Sequence, residues 1–194
     1  MKRVLLLKAG DAAPAVKVSA GDYDRWFLES LGGAGYHFSV VHAHLGQKLP
    51  DPRAHDAVIM TGSPKSVAEL TPWMRVAADY LLELGEKKVP FLGVCFGHQL
   101  LGHALGSRVV KNPRGREIGT IEVELTDEGR ADRLFEGLSP RFTVQATHED
   151  IVDVLPASTQ LLAGNSLCSL QAIASGKYLR GVQFHPELAS GTMK

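Results

Sequence analysis

Cys95 lies within FLGVCFGHQLLG, the stretch from Phe91 to Gly102, with Gly93 and Gly97 two positions to either side. A strand that ends at a cysteine and runs straight into a helix must turn sharply there. The two glycines remove the side chains that would crowd such a bend, and the reactive atom then stands clear at the carboxyl edge of a sheet. A helix start beside the sulfur brings the positive end of the helix dipole, which favours negative charge on it. Its free backbone N–H groups, beginning with that of Phe96, are placed to hold an oxyanion. The other reading is a small apolar filler at the end of a buried strand, a common place for a free cysteine. A nucleophile also requires a base.

Eight histidines are available for that task. His42 and His44 form an H-x-H at a strand end, and His98 and His103 share a helix. Neither pair has a carboxylate at metal-ligand spacing, so no metal is expected. His185 differs. It ends the run LRGVQF, is followed by Pro186, which stiffens the turn, and then by Glu187. A carboxylate two residues on can fold back and hold the imidazole tautomer, as the third member of a triad does.

The rest of the chain has to position these groups. With 194 residues, 44% of them hydrophobic, it can bury the core of one domain, expected to span residues 1–194. Lys plus Arg and Asp plus Glu balance at 21 each, and no basic run forms a stripe for nucleic acid. Apolar stretches fall short of the roughly 20 residues of a membrane span. The apolar run from Val4 to Leu7 is too short for a secretion signal and reads as a first buried strand. Cys95 and Cys168 make no disulfide framework or C-x-x-C zinc site, which predicts a cytoplasmic protein.

Val4 to Leu7, His37 to Val41, Asp56 to Met60 and the run VPFLGVC read as strands. Between them come an amphipathic helix over Tyr23 to Leu31 and a helix opened by Thr71-Pro72 and running to about Glu86, with Gly85 marking its end. A further helix runs from about Gly97 to Leu105 and stops at Gly106. This alternation predicts βαβ units and a mostly parallel sheet with helices on both faces. After Arg108 the pattern changes. EIGTIEVELT, RFTVQATHEDIV, QLLAGN and YLRGVQF read as strands with few helices between them, taken as antiparallel additions to one α/β domain. Trp73 and Phe27 are expected in the core, a dimer face being the other use for them.

GVCFGHQ together with GVQFHPE resembles the class I glutamine amidotransferase family. The elbow pattern G-x-C-x-G-x-Q falls on Gly93, Cys95, Gly97 and Gln99, and H-P-E falls on His185, Pro186 and Glu187, 90 residues beyond Cys95. TGSPKSV and THEDIV fall where that family places substrate-binding elements. The resemblance implies a flavodoxin-like three-layer fold and a Cys95–His185–Glu187 triad that cleaves the γ-amide of glutamine through a γ-glutamyl thioester, with no cofactor. It places the oxyanion hole at Gly62, Ser63 and Phe96. Gln99 and the main chain at His148, Glu149 and Asp150 are implied as contacts to the substrate.

Two departures bear on which member this is. Biosynthetic members usually read Ser-Gly-Gly-Pro in the oxyanion loop, whereas this chain has Thr61-Gly62-Ser63-Pro64. A serine in place of the second glycine has less freedom to flip, so the hole is expected to be preformed. TGSP and THED resemble stand-alone GMP-synthase-like amidotransferases and γ-glutamyl peptidases. The chain also has no P-loop, so a separate synthetase or acceptor subunit is the expected partner. It stops seven residues after Glu187, where the family usually adds a final helix, and is therefore expected to be short at that end. Three functions follow: a glutaminase supplying ammonia to an acceptor enzyme, an independent hydrolase of γ-glutamyl compounds, or a catalytically silent binding protein on the same fold.

Overall fold

In the computed structural model, which describes residues 1–32 and 35–188, the apolar run after Met1 forms strand β1 (Lys2–Lys8). A short helix α1 (Pro14–Ala20) and the amphipathic α2 (Tyr23–Leu31) lead to β2 (Tyr36–His42) and β3 (Ala57–Met60). Helix α3 (Pro72–Glu86), β4 (Phe91–Val94) and α4 (Phe96–Ala104) complete the first half. The second half contains β5 (Val109–Lys111), β6 (Glu117–Leu125), α5 (Asp127–Ala131), β7 (Arg141–His148) and β8 (Asp150–Val152). It closes with β9 (Thr159–Gly164), β10 (Ala172–Ser175) and β11 (Leu179–Val182).

Nine strands form one sheet in the order β2-β1-β3-β4-β11-β10-β9-β6-β7, and β5 pairs with β8 in a separate ribbon. The pairings from β2 through β4 to β11 are parallel, and those from β11 outward to β7 are antiparallel. This is the α/β architecture expected from the alternation of strands and helices. One face carries α3 and α4 over a core that includes Leu5, Met60, Met74, Leu81, Phe96 and Leu100. The other face buries Phe27 of α2 with Val94, Leu162, Val182 and Phe184. Both aromatic side chains singled out as core candidates pack inward. Phe27 is buried, and Trp73 stacks on Phe96 with ring centroids 5.5 Å apart.

Several local expectations need correction. YLRGVQF is no antiparallel addition where it meets β4: β11 runs parallel to it, Gly181 opposite Gly93 and Val182 opposite Val94. RFTVQATHEDIV divides at Glu149 into β7, in the large sheet, and β8, in the ribbon. Gly85 lies inside α3, where a side chain would press on Leu179 of β11, and Lys88 at φ 61° makes the left-handed residue after the helix. Helix α1 buries no side chain, so it has no apolar face to announce it, and β10 is only AIAS. Among the described residues no helix is long and apolar enough to cross a membrane. The expectation of a short C-terminus falls on residues 189–194, which lie outside the described residues.

Candidate active site

Strands β3, β4 and β11 are neighbours and parallel, so their carboxyl ends meet at one edge of the sheet. Gly62 and Ser63 follow β3, Cys95 follows β4 and His185 follows β11. Crevices at strand carboxyl ends are where open α/β sheets bind ligands. Cys95 has φ 50° and ψ −98°, a conformation that costs a non-glycine residue about 1–3 kcal/mol. The turn is held by a 2.8 Å hydrogen bond from the Cys95 N–H to the Val182 carbonyl, and by the first helical bond, from the Gln99 N–H to the Cys95 carbonyl at 3.0 Å. The flanking glycines are required by close approach. A side chain on Gly93 would enter the backbone of Gly97, and one on Gly97 would come within 2.7 Å of the Met60 carbonyl oxygen.

His185 is fixed from both directions. Its N–H donates to the Gln145 carbonyl of β7 at 2.8 Å, and its Nδ1 lies 2.7 Å from Glu187 Oε1. Ser30 Oγ at the end of α2 donates to the Glu187 carbonyl at 3.0 Å. Both side chains of the pair are almost fully buried, at 2% and 0% exposure. Burial disfavours charge on the imidazole, but the Glu187 carboxylate and the nearby Cys95 sulfur outweigh it and raise its pKa to about 10. With Nδ1 engaged by Glu187, Nε2 is the atom left for the sulfur and the substrate, and among the described residues it has no hydrogen-bond partner.

The turn after β3 is also constrained. Thr61 is fully buried, and its Oγ1 accepts from the Ala9 N–H at 3.0 Å while donating to the Gly62 carbonyl at 2.9 Å. A trans peptide is planar, so fixing the Gly62 carbonyl fixes the Ser63 N–H on the opposite side. Ser63 Oγ accepts from the Lys65 N–H at 3.2 Å, and its side chain occupies the space over Gly10. A side chain on Gly62 would come within 2.9 Å of His185 Cε1, so only glycine leaves room for the imidazole.

The remaining predicted residues lie in different settings. Gln99 is buried, and its Nε2 donates to the Asp150 carbonyl at 2.8 Å and to Gln183 Oε1 at 3.2 Å, tying α4 to β8. The Asp150 carboxylate accepts from Ser66 Oγ at 2.5 Å. Glu149 pairs with Lys111 at the surface. His148 turns inward, its Nε2 2.8 Å from Glu117 Oε2, in a cluster where Asn165 and Gln171 also donate to Glu117. His98 is fully buried, which lowers its pKa to about 4 against weaker opposing effects of the backbone at Gly181 and Leu170. Among the described residues no group of three or more His, Cys, Asp or Glu side chains is arranged to hold a metal ion. Sequence reasoning did not single out Thr61, Ser30, Glu117 or Tyr23 for the site. Tyr23 in particular carries no motif beyond its place at the start of α2.

The family model for glutamine amidotransferase class-I matches residues 20–194. The chain belongs to the class I glutamine amidotransferase family. Its similarity extends to one subunit of a glutamine-hydrolysing GMP synthase from Saccharolobus solfataricus, 34% identical over 169 residues, covering 87% of this chain and 85% of that one. It is also similar to gamma-glutamyl peptidase 3 of Arabidopsis thaliana, 26% identical over 192 residues, covering 96% of this chain and 77% of that one. Among solved structures, a glutamine amidotransferase from Thermotoga maritima superposes with a TM-score of 0.81 at 25% identity, covering 98% of this chain and 78% of that one. GMP synthase and γ-glutamyl peptidase are the two kinds of relative that TGSP and THED resemble.

Proposed function

We propose that Cys95, His185 and Glu187 form a triad that hydrolyses the γ-amide of glutamine through a γ-glutamyl thioester. The observation that carries this reading is the 2.7 Å His185–Glu187 contact beside a cysteine held at positive φ on a strand-to-helix turn. Cys95 Sγ attacks the γ-carbonyl carbon, and the oxyanion rests on the N–H groups of Phe96 and of the Gly62–Ser63 turn. The C–N bond then breaks as His185 Nε2 gives its proton to the departing nitrogen. Water next attacks the thioester and passes a proton to His185, Cys95 leaves as thiolate and glutamate is released. Glu187 holds the imidazole with Nε2 towards the reaction. Gln99 and the main chain at His148–Asp150 bind the amino-acid end of the substrate, and no cofactor enters any step.

The ammonia passes to a separate acceptor subunit in the cytoplasm, a role suggested by the Saccharolobus solfataricus relative, which is named as one subunit of a synthase. A second reading, independent hydrolysis of γ-glutamyl compounds, is favoured by the bonded Thr61–Gly62–Ser63 turn, which needs no partner to set it. The test is to assay the purified chain on free glutamine and on γ-glutamyl dipeptides, alone and with candidate synthetase subunits, following glutamate release. Glutamate from both substrates without a partner, and faster glutamine turnover with one, is the expected result. No glutamate from any substrate under any condition would overturn the reading.

The turn itself yields an expected result. Thr61→Val removes the donor to the Gly62 carbonyl at nearly constant volume, and Ser63→Gly opens positive φ to that position. Each is expected to lower partner-free turnover by roughly 2- to 10-fold, because only a fraction of molecules then presents the Ser63 N–H at a given moment. Steady-state rates alongside melting temperatures check this. A Ser63→Gly variant that gained activity would show that the serine holds the hole closed.

A further inference from the structure

Helix α2 begins at the edge of this site, and its first residue is Tyr23. A side chain on Gly62 would meet His185 Cε1 at 2.9 Å and Tyr23 Cε1 at 3.2 Å, so the phenol and the imidazole border the same space over that glycine. His185 Cε1 is bonded to Nε2, the atom that protonates the departing nitrogen. On the triad reading, a group protonated at Nε2 departs close to the Tyr23 ring. The ring is half-buried, and Trp26 supports it edge-on at 5.2 Å between centroids.

Its backbone is held unusually firmly for a helix start. Asp22 Oδ1 accepts from the N–H groups of Tyr23 and Ala12 at 2.9 and 2.8 Å. The other oxygen, Oδ2, takes the buried Lys8 ammonium at 2.6 Å, and Asp11 and Asp24 bind the same ammonium at 2.8 and 3.1 Å. Burial works against charge at Lys8, yet the three carboxylates hold its pKa above the ordinary lysine range, so the clamp stays ionised. Burial likewise raises the Tyr23 phenol, with Cys95 and Glu187 adding to it, and the hydroxyl keeps its proton. A neutral aromatic wall thus stands next to the general acid on a rigid mount.

We propose that Tyr23 is a specificity-determining residue whose ring packs against the leaving group of the substrate, so that γ-glutamyl amides of larger apolar amines are selected over glutamine. This rests on the triad reading above and deepens it. Ammonia is too small to touch the ring, whereas an amino-acid or aryl amine leaving His185 lies against it. Both substrate types form the same γ-glutamyl thioester, so its hydrolysis is common and any selectivity arises in the acylation step.

The experiment compares kcat/KM for glutamine, γ-glutamyl methylamide, γ-glutamyl alanine and γ-glutamyl anilide in the wild type, Tyr23→Phe and Tyr23→Leu. In the wild type kcat/KM is expected to rise at least about tenfold from methylamide to anilide. Tyr23→Phe is expected to keep that rise, and Tyr23→Leu to reduce the anilide-to-glutamine ratio about tenfold or more. A wild-type series that is flat or falls with size overturns the assignment even if Tyr23→Leu does not fold. So does a folded Tyr23→Leu that loses all four substrates by one factor, which would make the ring a support for His185 alone. No wild-type turnover of any substrate overturns the triad reading and this one with it.

Discussion

Cys95→Ala is expected to lower γ-glutamyl hydrolysis by about 10⁴-fold or more with the fold intact, while Cys168→Ala keeps most of the activity. Both thiols are free and buried, so exposure does not distinguish them. Position does. Cys95 stands at the junction of β4 and α4 with His185 beside it, whereas burial pushes the Cys168 thiol up to about 12 in a turn where Asn165 Oδ1 accepts its N–H. The same residue provides a check on the strained turn. Exchanging alanine for glycine ordinarily costs about 0.5–1 kcal/mol inside an element. At φ 50° the sign is expected to reverse, so Cys95→Gly should unfold at the same or higher denaturant concentration than Cys95→Ala, and both should be inactive. Full activity in Cys95→Ala would sink the mechanism.

His185→Ala is expected to cost as much activity as loss of the nucleophile, because both proton transfers go with it. It also leaves the Glu187 carboxylate buried without its partner, so stability should fall by about 3–5 kcal/mol. Glu187→Gln keeps a hydrogen-bonding group beside Nδ1 and leaves the base in place, so its activity loss should be smaller, within the roughly 10²- to 10⁴-fold that general acid–base catalysis contributes. Stability against pH separates the two effects. The folded His185 pKa, raised to about 10, lies above the ordinary histidine value of 6.5, so the pair's contribution is complete below about pH 6.5 and is lost as pH rises through about 10. Glu187→Gln removes the main cause of that rise and should flatten the alkaline loss in urea titrations between about pH 7 and 10.5. Near-wild-type rates in His185→Ala would require another base, although His148 is paired with Glu117 and His98 is buried and neutral at pH 7.

The sequence by itself determined the local geometry around Cys95 and His185. Gly93 and Gly97 around Cys95 signalled a tight turn because the rule behind them is steric and short-range. The same holds for His185-Pro186-Glu187, where two residues are enough for a carboxylate to fold back on an imidazole. Helix α2 was legible to its ends because its apolar residues follow the helical period. What only the tertiary structure decided was which strand ends are neighbours. Nothing in YLRGVQF states that β11 lies parallel against β4, yet that pairing is what brings His185 to Cys95 across 90 residues of chain. The same is true of Thr61, whose hydroxyl ties the turn after β3 to Ala9 at another strand's end, and of the inward orientation of His148 onto Glu117. Tyr23 reached the site through the Lys8–Asp22 clamp at the start of α2 and the burial of Phe27 against the sheet. Local motifs report backbone sterics within a few residues, whereas these contacts come from burying a sheet on both faces, which no short window of sequence contains.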